Sequence, residues 1–182
     1  LIELNDVDPD LCYYHQVIGN VMNCNYYFES SFKQLIRSSS HPSPFSILHS
    51  NVRSFHSNGH MLINLATICE HNFSVICLSE IWLNPSNCSL TSISGYSNEL
   101  RMRQRRAGGG VSIFVGDSLY YTPRNDISSM SENLEVVFIE LDRNLLNSDY
   151  NIIVGCVYRP PKSSIVEFTD ELKSKLSLIT NE

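Results

Sequence analysis

Asn51, Glu80 and the pair Tyr158-Arg159 each close an apolar run of the sequence. Between them they offer an amide oxygen, a carboxylate, a phenol and a guanidinium. Hard oxygen donors suit Mg2+ or Mn2+, which take few protein ligands and keep their waters for phosphate oxygens. The matching chemistry is phosphoryl transfer, with the cation as Lewis acid and template. Each feature also has a plainer reading. Glu80, in "VICLSEIWL" (75–83), could be a solvated carboxylate where a strand stops, since an unpaired buried one would be costly.

What makes the three worth grouping is the elements that carry them. "FSILHSNV" (45–52) reads as a strand, and "MLINLATICEHN" (61–72) places Met61, Leu62, Leu65, Ile68 and Cys69 at helical spacing. "SVICLSEI" (74–81) is a continuous apolar run, the pattern of a strand buried on both faces. Strand, helix and strand in this order predict a βαβ unit within an α/β sandwich. "LEVVFIELD" (134–142) and "YNIIVGCVYRPP" (150–161) add two buried strands, the second stopped by its prolines. "SIVEFTDELKSKLSLIT" then sets Ile165, Phe168, Leu172, Leu176 and Ile179 on one helical face. Asn51, Glu80 and Tyr158 therefore sit at carboxyl ends of strands, where open α/β sheets bind ligands.

A polar loop leads to "RMRQRRAGGGVSIFV" (101–115). Its glycines predict a tight turn or a close backbone approach before an alternating strand. They are not a P-loop, because no lysine and Ser/Thr follow and a strand comes next. Arg101, Arg103, Arg105 and Arg106 put four of the chain's 13 basic residues into six positions. They read either as a phosphate-contacting hairpin or as a solvated turn. His49 alternates with Asn51 on the same strand, and a structural polar contact is expected of it.

Bulk properties bound these readings. The 182 residues are enough for one domain with a real core, and a formal net charge of -6 confines any nucleic-acid contact to a local patch. No apolar run is long enough to cross a membrane, and "LIELNDVDPD" has no secretory pattern. Six cysteines form no CxxC pair, and Cys77 and Cys156 lie within apolar runs, so reduced core thiols and an intracellular setting are expected. Residues 1–44 read as an upstream segment closed by the linker "RSSSHPSP", with "CNYYFESSF" either a short helix or a docked stretch. A domain is placed at 45–182.

The motifs "ILHSNVRS", "VICLSEIWL", "AGGGVSIFV", "LEVVFIELD" and "IIVGCVYRPP", in this order, resemble the endonuclease/exonuclease/phosphatase family. They are most similar to the apurinic-endonuclease-like domain of non-LTR retrotransposons. The resemblance implies a four-layer α/β sandwich, truncated at its C-terminus, that nicks target DNA with Mg2+ (or Mn2+) and precedes a reverse-transcriptase domain. Its partner would be DNA, and its place of action the nucleus. By position, Asn51 corresponds to the family's strand-end asparagine near metal and scissile phosphate. Glu80 corresponds to the metal-binding glutamate, and Tyr158 to the tyrosine that approaches the phosphate. Glu135 matches a recurrent acidic position, where an acid could also be structural.

The sequence stops before the family's "G-D-x-N" and "S-D-H" motifs, which bring the groups that activate water. The chain is accordingly expected to be a fragment, inactive alone. A non-catalytic remnant or DNA-binding module is the alternative, and a phosphatase of the same superfamily is a third reading.

Overall fold

The computed structural model describes residues 27–38, 45–88, 91–104, 108–145 and 149–180. Most of the upstream segment, Arg105, Arg106, Cys12 and Cys24 lie outside these residues.

The predicted βαβ unit forms as β1 (Ile47–Asn51), α2 (Phe55–Cys69) and β2 (Val75–Ser79), preceded by α1 (Glu29–Ser38). β1 and β2 are parallel, with Ile47 opposite Val75 and Asn51 opposite Ser79. β4 (Val111–Gly116) runs antiparallel to β2, and β3 (Tyr96–Arg101) closes the sheet in the order β1-β2-β4-β3. A second sheet is built on β7 (Glu135–Leu141), flanked by β5 (Tyr121–Pro123), β6 (Ser129–Met130) and β8 (Ile152–Tyr158). α3 (Ile165–Thr180) follows.

Three hydrophobic interfaces fix four layers. Leu62 and Phe55 of α2 pack on Ile76, Leu78 and Phe114 of the first sheet. Between the sheets, Val75, Cys77 and Ile113 meet Val137, Ile139 and Cys156. On the far side Phe168, Leu172 and Ile179 of α3 cover Val136 and Phe138. Of the runs expected to be buried strands, β2 and β7 lie in the middle of this stack together with the strand expected to alternate, β4, whereas β8 is only partly buried.

Several elements differ from expectation. α2 begins at Phe55, six residues before the periodic stretch, although "FHSNGH" has weak helix formers. Tertiary contacts override propensity here. Ser54 Oγ accepts the Ser57 amide at 3.3 Å, Asn58 Nδ2 donates to Val52 O at 2.8 Å, and Phe55 stacks on Phe114 at 5.5 Å. β3 forms where the sequence predicts a polar loop, since "YSNELR" is polar, as an edge strand can be. Met61 and Ile68 are exposed instead of buried, as are Ile165 and Leu176 on α3. Each of those helices covers its sheet with a narrower stripe than the sequence suggests.

The segment "CNYYFESSF" does contribute a helix, α1, and it docks on α2. Lys33 and Arg37 both pair with Glu70, the residue that ends α2 in a left-handed conformation, with Lys33 Nζ at 2.7 Å. Those cations hold the Glu70 carboxyl below its ordinary range. Among the described residues β1 is bonded on one side only, and β8 pairs with β7 alone. No helix among them is long and apolar enough to cross a membrane.

Candidate functional site

Strand directions bring six chain segments to one end of the sandwich. β1 and β2 finish there, and so does β8. β4 and β7 begin there, because Ser79 lies opposite Val111 and Tyr158 lies opposite Glu135. Arg101, the last residue of β3, is opposite Val111.

β2 does not run on through Glu80. Glu80 and Trp82 have φ of 54° and 55°, so the backbone turns sharply twice around Ile81. Non-glycine residues in this region cost roughly 1–2 kcal/mol each and persist only where the surroundings over-determine them. Those surroundings are identifiable. Ser54 N donates to Glu80 O at 2.8 Å and Phe55 N to Ile81 O at 2.9 Å. From the other side Ile81 N donates to Gly110 O at 3.3 Å and Trp82 N to Gly109 O at 2.9 Å. Ile81 is fully buried, which leaves Glu80 and Trp82 facing outward on either side of it.

The three glycines therefore supply a close backbone approach. Gly108, Gly109 and Gly110 all have φ between 66° and 86°. A Cβ on Gly110 would come within 2.8 Å of the Ile81 side chain, and one on Gly109 would strike the Arg103 guanidinium.

The Glu80 carboxylate is held at both oxygens. Tyr158 Oη donates to one, from the opposite sheet, and Trp82 Nε1 donates to the other at 3.2 Å. Burial first, and then the Glu80 carboxylate beside it, hold the Tyr158 phenol well above its ordinary value of 10.0. In the structure it serves as a hydrogen-bond donor to Glu80. Tyr96 and Tyr121 are raised as well, mainly by burial. A raised folded-state value means that the unfolded chain ionises first as pH climbs. These tyrosines should cost stability as pH climbs past about 10, and Tyr158→Phe should soften that alkaline fall. Urea titrations between pH 7 and 11 measure it. An alkaline limb equally steep in the variant would contradict this assignment.

Asn51 ends β1 one register step from Glu80, exposed and with no hydrogen bond to a described residue. Next to it, Arg53 (φ 43°) is fixed between two amides that donate to Ser79 O and Glu80 O. Its guanidinium is exposed and meets no carboxylate among the described residues. The sequence reading had passed over it. Glu135 is fully buried and paired with Arg103, and its second oxygen accepts the Gly110 amide at 2.6 Å. Arg101 is hydrogen-bonded to Asn125 and to Leu100 O. Arg159 donates weakly to Ser163 O at 3.4 Å.

The structure thus brings Glu80, Tyr158 and Asn51 to one place, and it turns Arg103 inward onto Glu135. His49 is exposed on the face of β1 that carries Asn51. His56 and His60 are exposed one turn apart on α2, whereas the sequence alone predicts no metal-binding spacing among the six histidines. Among the described residues no three His, Cys, Asp or Glu side chains cluster to cage a metal. The donors at the site fit a cation that needs few protein ligands, Mg2+ or Mn2+, better than one that needs a closed set.

The fold is an α/β sandwich of the kind found in apurinic/apyrimidinic (AP) endonucleases. Among solved structures, the AP endonuclease LMAP from Leishmania major superposes with a TM-score of 0.58 at 16% identity. The match covers 94% of this chain and 56% of that one, so the chain spans little more than half the length of this neighbour. No family model and no curated protein matches the sequence.

Proposed function

We propose that the chain carries the cation-binding part of a Mg2+-dependent DNA endonuclease, one that nicks target DNA for the reverse transcriptase of a non-LTR retrotransposon. The observation that carries the reading is Glu80: a carboxylate on a strained strand end, held by Tyr158 and Trp82, next to Asn51, in an AP-endonuclease-like sandwich. When bound, a divalent cation supplies Lewis-acid polarisation of the scissile phosphodiester. The chain's own groups do the rest. Glu80 and the Asn51 amide oxygen provide the hard donors. Tyr158 holds the Glu80 carboxylate through its hydroxyl, and Arg53 offers a guanidinium for backbone phosphate. DNA is the partner, and the nucleus is where such an activity would serve.

A general base for water is commonly an imidazole oriented by a carboxylate, and among the described residues no histidine is hydrogen-bonded to one. The expectation is that these residues bind cation and DNA but turn over poorly. Removing members of a catalytic unit costs most of its rate. The test combines supercoiled-plasmid nicking with DNA binding, with and without Mg2+. Expected are binding strengthened by Mg2+, loss of that effect in Glu80→Ala, and little nicking. Strong nicking that Glu80→Ala abolishes would keep the endonuclease reading and overturn the inactivity. Binding indifferent to Mg2+ and to Glu80→Ala, yet lost when the arginines are removed, would favour a non-catalytic DNA-binding module.

A further inference from the structure

Glu135 poses a separate problem. A carboxylate of zero exposure at the start of a core strand is costly, and well-packed apolar residues often replace a buried ion pair at no loss of stability. The core does not need it. What it touches is the glycine turn, and the geometry of that turn leads directly to Glu80.

Gly110 N–H and Gly109 C=O belong to one peptide unit, and in a trans peptide they point in opposite directions. The N–H donates to Glu135 at 2.6 Å, while the C=O accepts from Trp82 N at 2.9 Å. A single peptide plane therefore ties the Glu135 carboxylate to the backbone of Trp82. The neighbouring Gly110 carbonyl takes the Ile81 amide at 3.3 Å. Trp82 then donates its indole N–H to Glu80 at 3.2 Å. A second route is shorter. Glu135 is the direct cross-strand partner of Tyr158, whose hydroxyl holds the other Glu80 oxygen. Arg103 closes the arrangement from behind by pairing with Glu135.

We infer that Glu135 is a positioning residue: through the 109–110 peptide it fixes Trp82, and with it the orientation of the Glu80 carboxylate. Its link to cation binding rests on the reading of Glu80 as the ligand. Its link to Trp82 does not. Arg103, whatever its place in an arginine cluster, serves here as the counter-charge to the buried Glu135 carboxylate.

The chain's one tryptophan is Trp82, 44% exposed, so its emission reports this arrangement without any label. The decisive variant is Glu135→Met with Arg103→Met, which removes the buried pair and leaves the Gly110 amide with no acceptor. Expected are a melting temperature close to the parent's and a red-shifted, more easily quenched Trp82 in the absence of metal. Mg2+ affinity measured by calorimetry should drop roughly tenfold, the lower end for losing an outer-shell partner of a metal ligand. A folded double variant with the parental Trp82 emission and quenching would overturn the proposal. Should the double variant not fold, Glu135→Leu with Arg103→Leu, which likewise leaves the Gly110 amide with no acceptor, is judged by the same readouts. If the parent protein itself shows no Mg2+ binding, the endonuclease reading fails, while the metal-free Trp82 signal still decides the role of Glu135.

Discussion

Glu80→Gln should remove Mg2+ binding while leaving the sandwich folded. Gln is nearly the size of Glu and keeps an acceptor for the Tyr158 hydroxyl. The net cost of impairing one hydrogen bond at this half-buried position is about 1 kcal/mol. Spread over a domain of this size, that lowers the melting temperature by about 2–4 °C. The loss to the cation is far larger. Altering an outer-shell partner alone costs about 10–100-fold in metal affinity, so removing the charged ligand should exceed the upper end of that range. Calorimetric titration with Mg2+ checks it. Mg2+ is preferable to borderline metals, which the exposed His56 and His60 would also attract. A variant that binds Mg2+ within threefold of the parent would remove Glu80 from the role of ligand.

Gly110→Ala should be the most destabilising single methyl addition at the site. Two costs coincide at this position. At φ 86° an alanine is in a region that L side chains avoid, costing roughly 1–2 kcal/mol. Its Cβ would also meet the fully buried Ile81 at 2.8 Å and the Arg101 carbonyl at 3.2 Å, adding about 1–3 kcal/mol of overpacking. Together these make about 3 kcal/mol, a large share of the roughly 5–15 kcal/mol that holds a typical domain together. The melting temperature should fall by about 6–12 °C. Gly95→Ala is the control. Its φ is also positive, at 83°, but nothing lies within 4 Å of the added carbon, so only the backbone cost remains. Equal losses in the two variants would mean that the contact with Ile81 carries no weight.

The buried strands were legible because burial on both faces leaves an uninterrupted apolar run, as in "SVICLSEI" and "LEVVFIELD". Their ends were legible for the same reason, and this placed Asn51, Glu80 and Tyr158 on strand tips. β3 was not, because an edge strand can afford polar residues. The beginning of α2 was hidden by poor helix formers that a cap and an aromatic stack hold in place. The inward turn of Arg103 was beyond reach for a different reason. Its partner is 32 residues away on a strand of the other sheet, and the pairing depends on how the two sheets pack. The left-handed conformations of Glu80 and Trp82 have no sequence signal either. The glycines opposite them do, because they predict a tight turn or a close backbone approach, though not what is approached.

Tyr158 and Glu80 are 78 positions apart in the chain, and they meet only across the gap between the two sheets. Contacts of such long sequence separation are slow to form, because loop-closure entropy is lost before they return anything. The parallel β1–β2 pair, by contrast, closes through a local helix. In a refolding experiment the first sheet can thus be complete while the carboxylate of Glu80 still waits for its tyrosine. The site is therefore expected to form after the first sheet, and Trp82 emission followed during refolding would time that step.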